Sequence, residues 1–210
     1  TFAYGFPELS ENHREKLKNS KRIAVPGCHA SGFIALIYPL VEAGILSETE
    51  NLSCFSLTGY SGGGKKMIAE YEGAERDALL DAPRQYGLTQ QHKHLKEMKA
   101  ISGIENAPVF CPVVAPFYSG MEVTVPIFKS MLKDGTTLDD IKNIYKEKYN
   151  GPIVNFKENN DEAGFISANA YSDLDTMEIA VFGNEDRIIL TARYDNLGKG
   201  ASGAAIECLN

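Results

Sequence analysis

Hydrophobic and polar positions predict two strand–turn–helix units in the first third of the chain. The segment KRIAV at 21–25 has the pattern of a short strand, and the apolar segment ASGFIALIYPLVEAG predicts a helix that ends near Gly44. A second strand is predicted at 52–58, followed by a glycine-rich turn and a polar helical segment, KKMIAEYEGAE. Strand–turn–helix therefore occurs twice.

The middle of the chain predicts a helix, a group of strands and a second helix. The segment QQHKHLKEMKAISG predicts a helix that ends at Gly103. APVFCPVVAPFYSGMEVTVPIF alternates between apolar and polar residues and is broken by prolines, as strands and their connections are. TTLDDIKNIYKEKY predicts a surface helix that Thr137 caps.

The last quarter predicts three strands and a short helix. The strands are AGFISANAYSD, TMEIAVFGNE and RIILTARYDN, and a hairpin around 184–186 joins the last two. The tail GKGASGAAIECLN predicts a helix that starts with small residues. Strands dominate the second half, whereas strands and helices alternate in the first. The pattern predicts an α+β fold with a mixed or antiparallel sheet and helices on one face.

Composition narrows the class of protein. The chain has 210 residues, of which 43% are hydrophobic and 23% are charged, as in a globular protein with a sizeable core. The net charge of −7 and the pI near 5.2 argue against a nucleic-acid binder. The longest apolar stretch, GFIALIYPLVEAGIL, is too short to cross a bilayer, and the first residues lack a signal-peptide pattern.

The four cysteines are widely separated. Cys28, Cys54, Cys111 and Cys208 form no C-x-x-C pair and have no ligand-like spacing to histidine. We therefore expect neither a disulfide framework nor a metal site, and a cytoplasmic location.

Cys28 follows a Pro-Gly turn at the predicted start of a helix. Unpaired backbone N–H groups and the helix dipole at such a position favour negative charge, so we expect a lowered thiol pKa and a nucleophilic thiolate. A small buried residue at a helix start is the alternative, and position alone does not choose between them. The other three cysteines lie among apolar residues and are expected in the core.

Three further segments carry candidate chemistry. In QHKHLKEM, His92 or His94 could exchange protons with a thiolate, and Glu97 could orient a ring nitrogen; solvated surface histidines are the alternative. GYSGGGKK is either an anion cradle or a plain turn, and it lacks the spacing of a Walker A loop. Arg84 could hold a carboxylate or form a surface ion pair.

Taken in order, four motifs resemble those of the N-acetyl-gamma-glutamyl-phosphate reductase family in its shorter form. They are AVPGCHASGFIALIYPL, GYSGGGKKMI, HKHLKEM and RYDNLGKGASGAA, and the resemblance spans nearly the whole chain. Ser31 stands where threonine is common in the family, and Lys96 stands where proline is common. Neither departure removes a reacting group.

The resemblance implies a fold and a domain arrangement. Members combine a Rossmann domain that binds NADPH with a second domain like the C-terminal domain of glyceraldehyde-3-phosphate dehydrogenase. This sequence would be the second domain, inactive by itself. Residues 1–20 would lead from the nucleotide domain, 21–193 would form the catalytic and oligomerisation domain, and the helix in 194–210 would pack on the nucleotide domain.

The resemblance also implies a reaction. The Cys28 thiolate would attack N-acetylglutamyl 5-phosphate and form a thioester, which NADPH would reduce to the semialdehyde, in arginine biosynthesis. His92 would be the general acid/base, with His94 as the alternate, and Glu97 would orient it. The implied substrate contacts are Ser61, Arg84, His94 and Lys65, and the implied cofactor contacts are Gly62, Gly63, Asn196, Lys199 and Gly200. A homo-oligomer is expected, with no nucleic-acid or membrane partner.

Three other functions remain open at this stage. Another acyl-phosphate reductase, such as aspartate-semialdehyde dehydrogenase, would share the cysteine–histidine chemistry. A non-catalytic oligomerisation module would not turn over, and a cysteine hydrolase using Cys28 and His92 would need no cofactor.

Overall fold

The computed structural model describes residues 2–210, which form nine strands and six α-helices, with short 3₁₀ segments and one π-helical turn at Gly198–Ser202 between them. The strands are β1 (Ala3–Tyr4), β2 (Ile23–Ala24), β3 (Ser53–Gly59), β4 (Arg84–Gln85), β5 (Val109–Ala115), β6 (Met121–Phe128), β7 (Val154–Phe156), β8 (Met177–Gly183) and β9 (Arg187–Tyr194). The helices are α1 (Glu11–Lys18), α2 (Cys28–Glu42), α3 (Gly64–Glu72), α4 (His94–Ser102), α5 (Leu138–Lys148) and α6 (Gly203–Leu209).

Seven strands form one mixed sheet in the order β4-β5-β3-β6-β9-β8-β7. β3 pairs with β5 and β7 pairs with β8 in parallel, and the other pairs are antiparallel. Alternation along β6 buries Val123, Val125 and Ile127 on one face. Because α2, α4 and α5 pack on that face, the predicted α+β fold with helices on one face is confirmed.

Most predicted elements are confirmed, and one strand is wrong. The helix from Cys28, the strand near 52–58 and the hairpin at 184–186 are all present. Residues 163–173 instead form turns, because Ala163 has a positive φ of 54° and the Ala170 and Ser172 N–H groups bond locally. The two edges of the sheet are formed by β4 and β7, and the sequence pattern revealed neither strand.

Pro39 lies inside α2, where its ring removes the N–H that would bond the carbonyl of Ala35. The buried Tyr149 donates from its hydroxyl to that carbonyl at 2.8 Å. A second tyrosine, Tyr145, is also buried. Tyr145 donates to the carbonyl of Leu36 at 2.5 Å. Tyr149, which directly follows α5, thus replaces the hydrogen bond lost at Pro39, and Tyr145 of α5 adds a second donor to the same helix.

The start of α5 follows the prediction. The Thr137 side chain accepts from the backbone N–H of Asp140, whose carboxylate accepts from the backbone N–H of Thr137. This reciprocal capping box fixes the first turn of the helix.

The two ends of the described chain lie against each other. β1 pairs with β2 in parallel, and the Cys208 thiol lies 3.4 Å from the carbonyl oxygen of Gly5. The predicted boundaries at 20 and 193 and the packing of the 194–210 helix on a nucleotide domain stay predictions. Among residues 2–210, no helix combines the length and the apolar character needed to span a membrane.

Replacing Tyr149 by Phe leaves the buried carbonyl of Ala35 without its partner. We expect the free energy of unfolding, measured by urea denaturation, to fall by about 1–3 kcal/mol. Pro39→Ala restores an N–H four residues after Ala35, so the loss caused by Tyr149→Phe should be smaller in that background. An equal loss in both backgrounds would contradict the assigned role of the hydroxyl.

Candidate active site

A cleft of about 360 Å³ opens at the N-terminus of α2. It lies between the main core and a small cluster of Tyr71, Leu80 and Val114. Residues from the segments 26–29, 58–63, 92–94 and 196–201 form its walls, together with Met67 and Tyr86. The sheet and three separate loops therefore converge on one depression.

Cys28 is the first residue of α2, and its backbone is fixed to the sheet. The Tyr194 hydroxyl accepts a hydrogen bond from the Gly32 N–H at 3.0 Å and donates to the Cys28 carbonyl at 2.5 Å. This hydroxyl stands where a direct helical bond would join the same two groups. The first turn of the helix is thereby held to β9.

The surroundings of the Cys28 thiol do not produce the lowered pKa that its position at a helix start predicts. Burial raises the pKa of Cys28, whereas the backbone N–H of His29 and the charge of Lys93 lower it by less. The expected lowering is not met, because removal from water disfavours the thiolate more than the donors at the helix start favour it. The free chain therefore holds Cys28 mainly as the thiol.

His94 lies beside Cys28. The Cys28 sulfur, a ring nitrogen of His29 and a ring nitrogen of His94 lie within 4.8 Å of one another. His94 is only 6% exposed, and its Nδ1 atom makes no hydrogen bond among the described residues. Burial, followed by the nearby His92 and Lys93, lowers the pKa of His94 to about 4, so the imidazole is neutral at neutral pH.

His29 is a site residue that sequence reasoning missed. Its two ring nitrogens lie 2.6 Å from the Ser56 hydroxyl and 2.6 Å from the Tyr86 hydroxyl. Burial, followed by the proximity of His94 and His92, lowers the pKa of His29 well below its ordinary value. The one available signal was its place directly after Cys28; nothing in the sequence pattern pointed to Ser56 or Tyr86.

His92 lines the cleft, and its ring centroid lies 4.7 Å from that of His94. Glu97 does not bond to either ring. Its Oε1 accepts from the Gly27 N–H at 2.8 Å and from the Tyr4 hydroxyl at 2.7 Å. The carboxylate thus holds the Pro-Gly turn against α4, and the predicted role of orienting His92 has no hydrogen bond to support it.

The turn before Cys28 needs a residue without a side chain. A Cβ atom added at Gly27 would lie 2.3 Å from Nε2 of His94 and 2.9 Å from a carboxylate oxygen of Glu97. Gly27 has an ordinary φ of −73°, so the requirement comes from close approach and not from backbone conformation.

The cleft walls also contain four of the five predicted cofactor contacts: Gly62, Gly63, Asn196 and Gly200. The Asn196 side chain accepts from the Gly120 N–H at 2.8 Å and donates to the Ser61 hydroxyl at 2.9 Å. Ser61 is therefore buried behind these walls and does not line them.

The three predicted cations lie outside the cleft. Lys65 is exposed beyond its walls. The guanidinium of Arg84 lies over the ring of Tyr71 at 5.6 Å and faces a different depression. Lys199 is buried, and its amine bonds to the carboxylates of Glu8 and Glu207.

Lys93 brings positive charge into the cleft instead. It directly precedes His94, and its charge acts on both Cys28 and His94. A lysine between two histidines was the available signal, but the sequence did not show that its side chain would reach the cleft.

Comparison with known proteins identifies the chain's family. The family model described as "Semialdehyde dehydrogenase, dimerisation domain" matches residues 28–196. An N-acetyl-gamma-glutamyl-phosphate reductase from Sinorhizobium medicae is 40% identical over 98% of this chain and 68% of its own length. An N-acetyl-gamma-glutamyl-phosphate reductase 2 from a Nostoc species is 37% identical over 100% of this chain and 69% of its own length.

Solved structures confirm the fold. The structure of aspartate semialdehyde dehydrogenase II from Vibrio cholerae matches 97% of this chain and 65% of its own, with a TM-score of 0.70 and 16% identity. At that identity the likeness concerns the fold alone. The sequence relatives settle the family: this chain belongs to the N-acetyl-gamma-glutamyl-phosphate reductase family and carries a semialdehyde dehydrogenase dimerisation domain.

Proposed function

We propose that this chain is the catalytic part of an enzyme that reduces N-acetylglutamyl 5-phosphate to N-acetylglutamate 5-semialdehyde with NADPH, in arginine biosynthesis. The observation that carries the proposal is a cysteine at a helix N-terminus with a neutral, buried histidine beside it, in a cleft of about 360 Å³. A nucleophile beside a base is the arrangement that acyl transfer requires. The choice of substrate is supported by the relatives, which are N-acetyl-gamma-glutamyl-phosphate reductases.

The first step would be transfer of the acyl group to Cys28. The thiol proton would pass to His94, and the sulfur would bond to the acyl carbon while the carbon–oxygen bond to phosphate breaks. Phosphate would leave with the bonding electrons and take the proton from His94. Lys93 would stabilise the phosphate charge in the cleft.

The cleft wall that contains Gly62, Gly63, Asn196 and Gly200 is the proposed place for the reacting end of a nicotinamide cofactor. Gly62 and Gly63 present no side chain there, whereas Gly200 packs closely on Cys28, since an added Cβ atom would lie 3.1 Å from the Cβ of Cys28. Asn196 and Gly200 would border this end of the cofactor. When bound, NADPH supplies a hydride. Lys199 is already paired with two carboxylates and is no longer a proposed contact.

The last step would release the aldehyde and restore the thiol. The tetrahedral adduct on Cys28 would collapse, the carbon–sulfur bond would break, and the sulfur would leave as thiolate. His94 would pass one proton from solvent to that thiolate, which is the proton that the overall reaction consumes. The cleft walls limit the access of water to the thioester in the meantime.

His94 replaces His92 as our proposed proton carrier. The family motif favoured His92, but a ring nitrogen of His94 lies within 4.8 Å of the Cys28 sulfur. His92 is more open to the cleft and would contact the substrate. Glu97 would act on the backbone of the Pro-Gly turn through Gly27.

The open face of the sheet is the proposed contact with a second copy of the chain. Phe55, Phe128 and Ile189 are 46%, 56% and 42% exposed on strands whose opposite face is buried in the core. Large apolar side chains grouped on a sheet face are typical of an interface. The family description as a dimerisation domain supports a homo-oligomer, which we place in the cytoplasm.

Acyl transfer can be tested without the cofactor. Incubation of the chain with an acyl phosphate should release about one equivalent of phosphate and add one acyl group to Cys28, as read by peptide mass mapping. Cys28→Ser should abolish the acyl thioester, and Cys111→Ser should not. Continuous phosphate release without NADPH would favour a cysteine hydrolase instead, and an acyl group on another residue would contradict the proposal.

The two histidines can be separated by the rate of that acylation. We expect His94→Asn to slow it by about 10²–10⁴-fold, the usual range for loss of a general acid/base, and His92→Asn to slow it less. His13→Asn, on α1 outside the cleft, is the control variant. A larger effect of His92→Asn would return the role to His92.

The pH dependence of the Cys28 alkylation rate should show a high apparent pKa. Because burial raises the pKa of the thiol and only the thiolate reacts, the rate should keep rising above pH about 8.5, the ordinary thiol value. Peptide mass mapping of the folded chain gives the rate, with the fully buried Cys54 as the unreactive reference. An inflection below the ordinary value would mean that the helix N-terminus outweighs burial.

A further inference from the structure

The cluster of Cys28, His29 and His94 contains one histidine more than the proposed reaction uses, because His29 has no role in that reaction. One thiol sulfur and two imidazole nitrogens lie within 4.8 Å of one another, on residues from two different helices. We propose that this cluster binds a divalent metal ion of the zinc type and that the ion reversibly blocks the nucleophile.

The donor set selects the kind of metal. Sulfur and imidazole nitrogen are the ligands that Zn²⁺ and Co²⁺ share, and three protein ligands with a fourth position open to water are common at zinc sites. The trio contains no carboxylate. The nearby Glu97 accepts at Oε1 from Gly27 and Tyr4, so the site offers little to Mg²⁺ or Ca²⁺.

The two histidines differ in their availability to a metal ion, and the Nδ1 atom of His94, free of hydrogen bonds within residues 2–210, is the second observation that supports the site. Nδ1 of His94 is buried and makes no hydrogen bond among the described residues. The ring of His29 is held at both nitrogens by the hydroxyls of Ser56 and Tyr86. If one hydroxyl gives way to the ion, the other remains as the partner that orients a metal-bound histidine.

Two features limit the strength of the site. The ligand atoms must move somewhat closer than their present spacing to reach zinc at 2.0–2.3 Å, typical values for nitrogen and sulfur ligands. Lys93 also places a positive charge in the same cleft, although loss of the thiol proton on binding reduces the added charge. Both features favour binding that a chelator reverses.

The proposed metal binding depends only on the cluster of three side chains. The loss of acylation that it would cause also rests on the proposed function. Coordination withdraws electron density from the sulfur and places an ion where the acyl phosphate would approach, so the metal-bound thiolate is a much weaker nucleophile. The ion would therefore prevent formation of the thioester until it is removed.

Cobalt titration of the folded chain tests the site without any enzyme assay. We expect one equivalent of Co²⁺ to produce a thiolate-to-cobalt charge-transfer band, which Zn²⁺ displaces. Cys28→Ser should abolish the band, and His94→Asn should weaken the affinity about 10-fold or more. Cys111→Ser and His13→Asn are the matched controls and should leave it unchanged.

A second measurement uses the unmodified chain, so it does not depend on the folding of a variant. Zn²⁺ should slow the alkylation of Cys28, EDTA should restore it, and the rate at Cys111 should not change. The proposal is overturned if no thiolate band forms, if the band survives Cys28→Ser, or if folded His94→Asn binds as tightly as the parent. Acylation by an acyl phosphate in metal-free buffer tests the proposed function separately.

Discussion

The position of the first turn of α2 is the constraint on which the rest of the site depends. Its Cys28 carbonyl and Gly32 N–H both bond to the Tyr194 hydroxyl, which projects from the end of β9. The preceding turn is held by Glu97 through the Gly27 N–H. The sheet and α4 thus fix Cys28 from opposite ends of one helical turn. Tyr145 of α5 and Tyr149, which follows α5, donate to carbonyls further along the same helix.

This arrangement explains why the site is built from close backbone contacts. Added Cβ atoms would lie 2.3 Å from His94 Nε2 at Gly27, 2.7 Å from the Tyr194 hydroxyl at Gly32, and 3.1 Å from the Cys28 Cβ at Gly200. Because these three glycines have no side chains, His94, Tyr194 and the loop at Gly200 can approach the first turn of α2 closely. Each contact would be pushed apart by a methyl group, because tightly packed interiors have little space to relax.

The sequence predicted the parts of the structure that depend on local pattern. The helix at Cys28, the Thr137 cap and the hairpin at 184–186 follow from periodicity and capping residues close in the chain. Long-range pairing could not be predicted. Lys199 has the pattern of a ligand contact, yet it is neutralised by Glu8, which lies 191 positions earlier. The turns at 163–173, by contrast, rest on local hydrogen bonds and on a positive φ at Ala163 that the apolar and polar pattern did not show.

In the proposed reaction, the electrostatics of the cleft would link the binding of the acyl phosphate to the activation of Cys28. Burial raises the pKa of Cys28 and lowers the pKa of His94 to about 4, so the free site favours a neutral thiol beside a neutral imidazole. Moving the proton from sulfur to His94 creates two opposite charges in a poorly solvated place, which costs free energy. A bound phosphate group next to His94 and Lys93 would stabilise the imidazolium. In the proposed reaction, the substrate anion would therefore favour the charged form of His94, while its own charge would oppose a free thiolate and so favour attack concerted with the proton transfer.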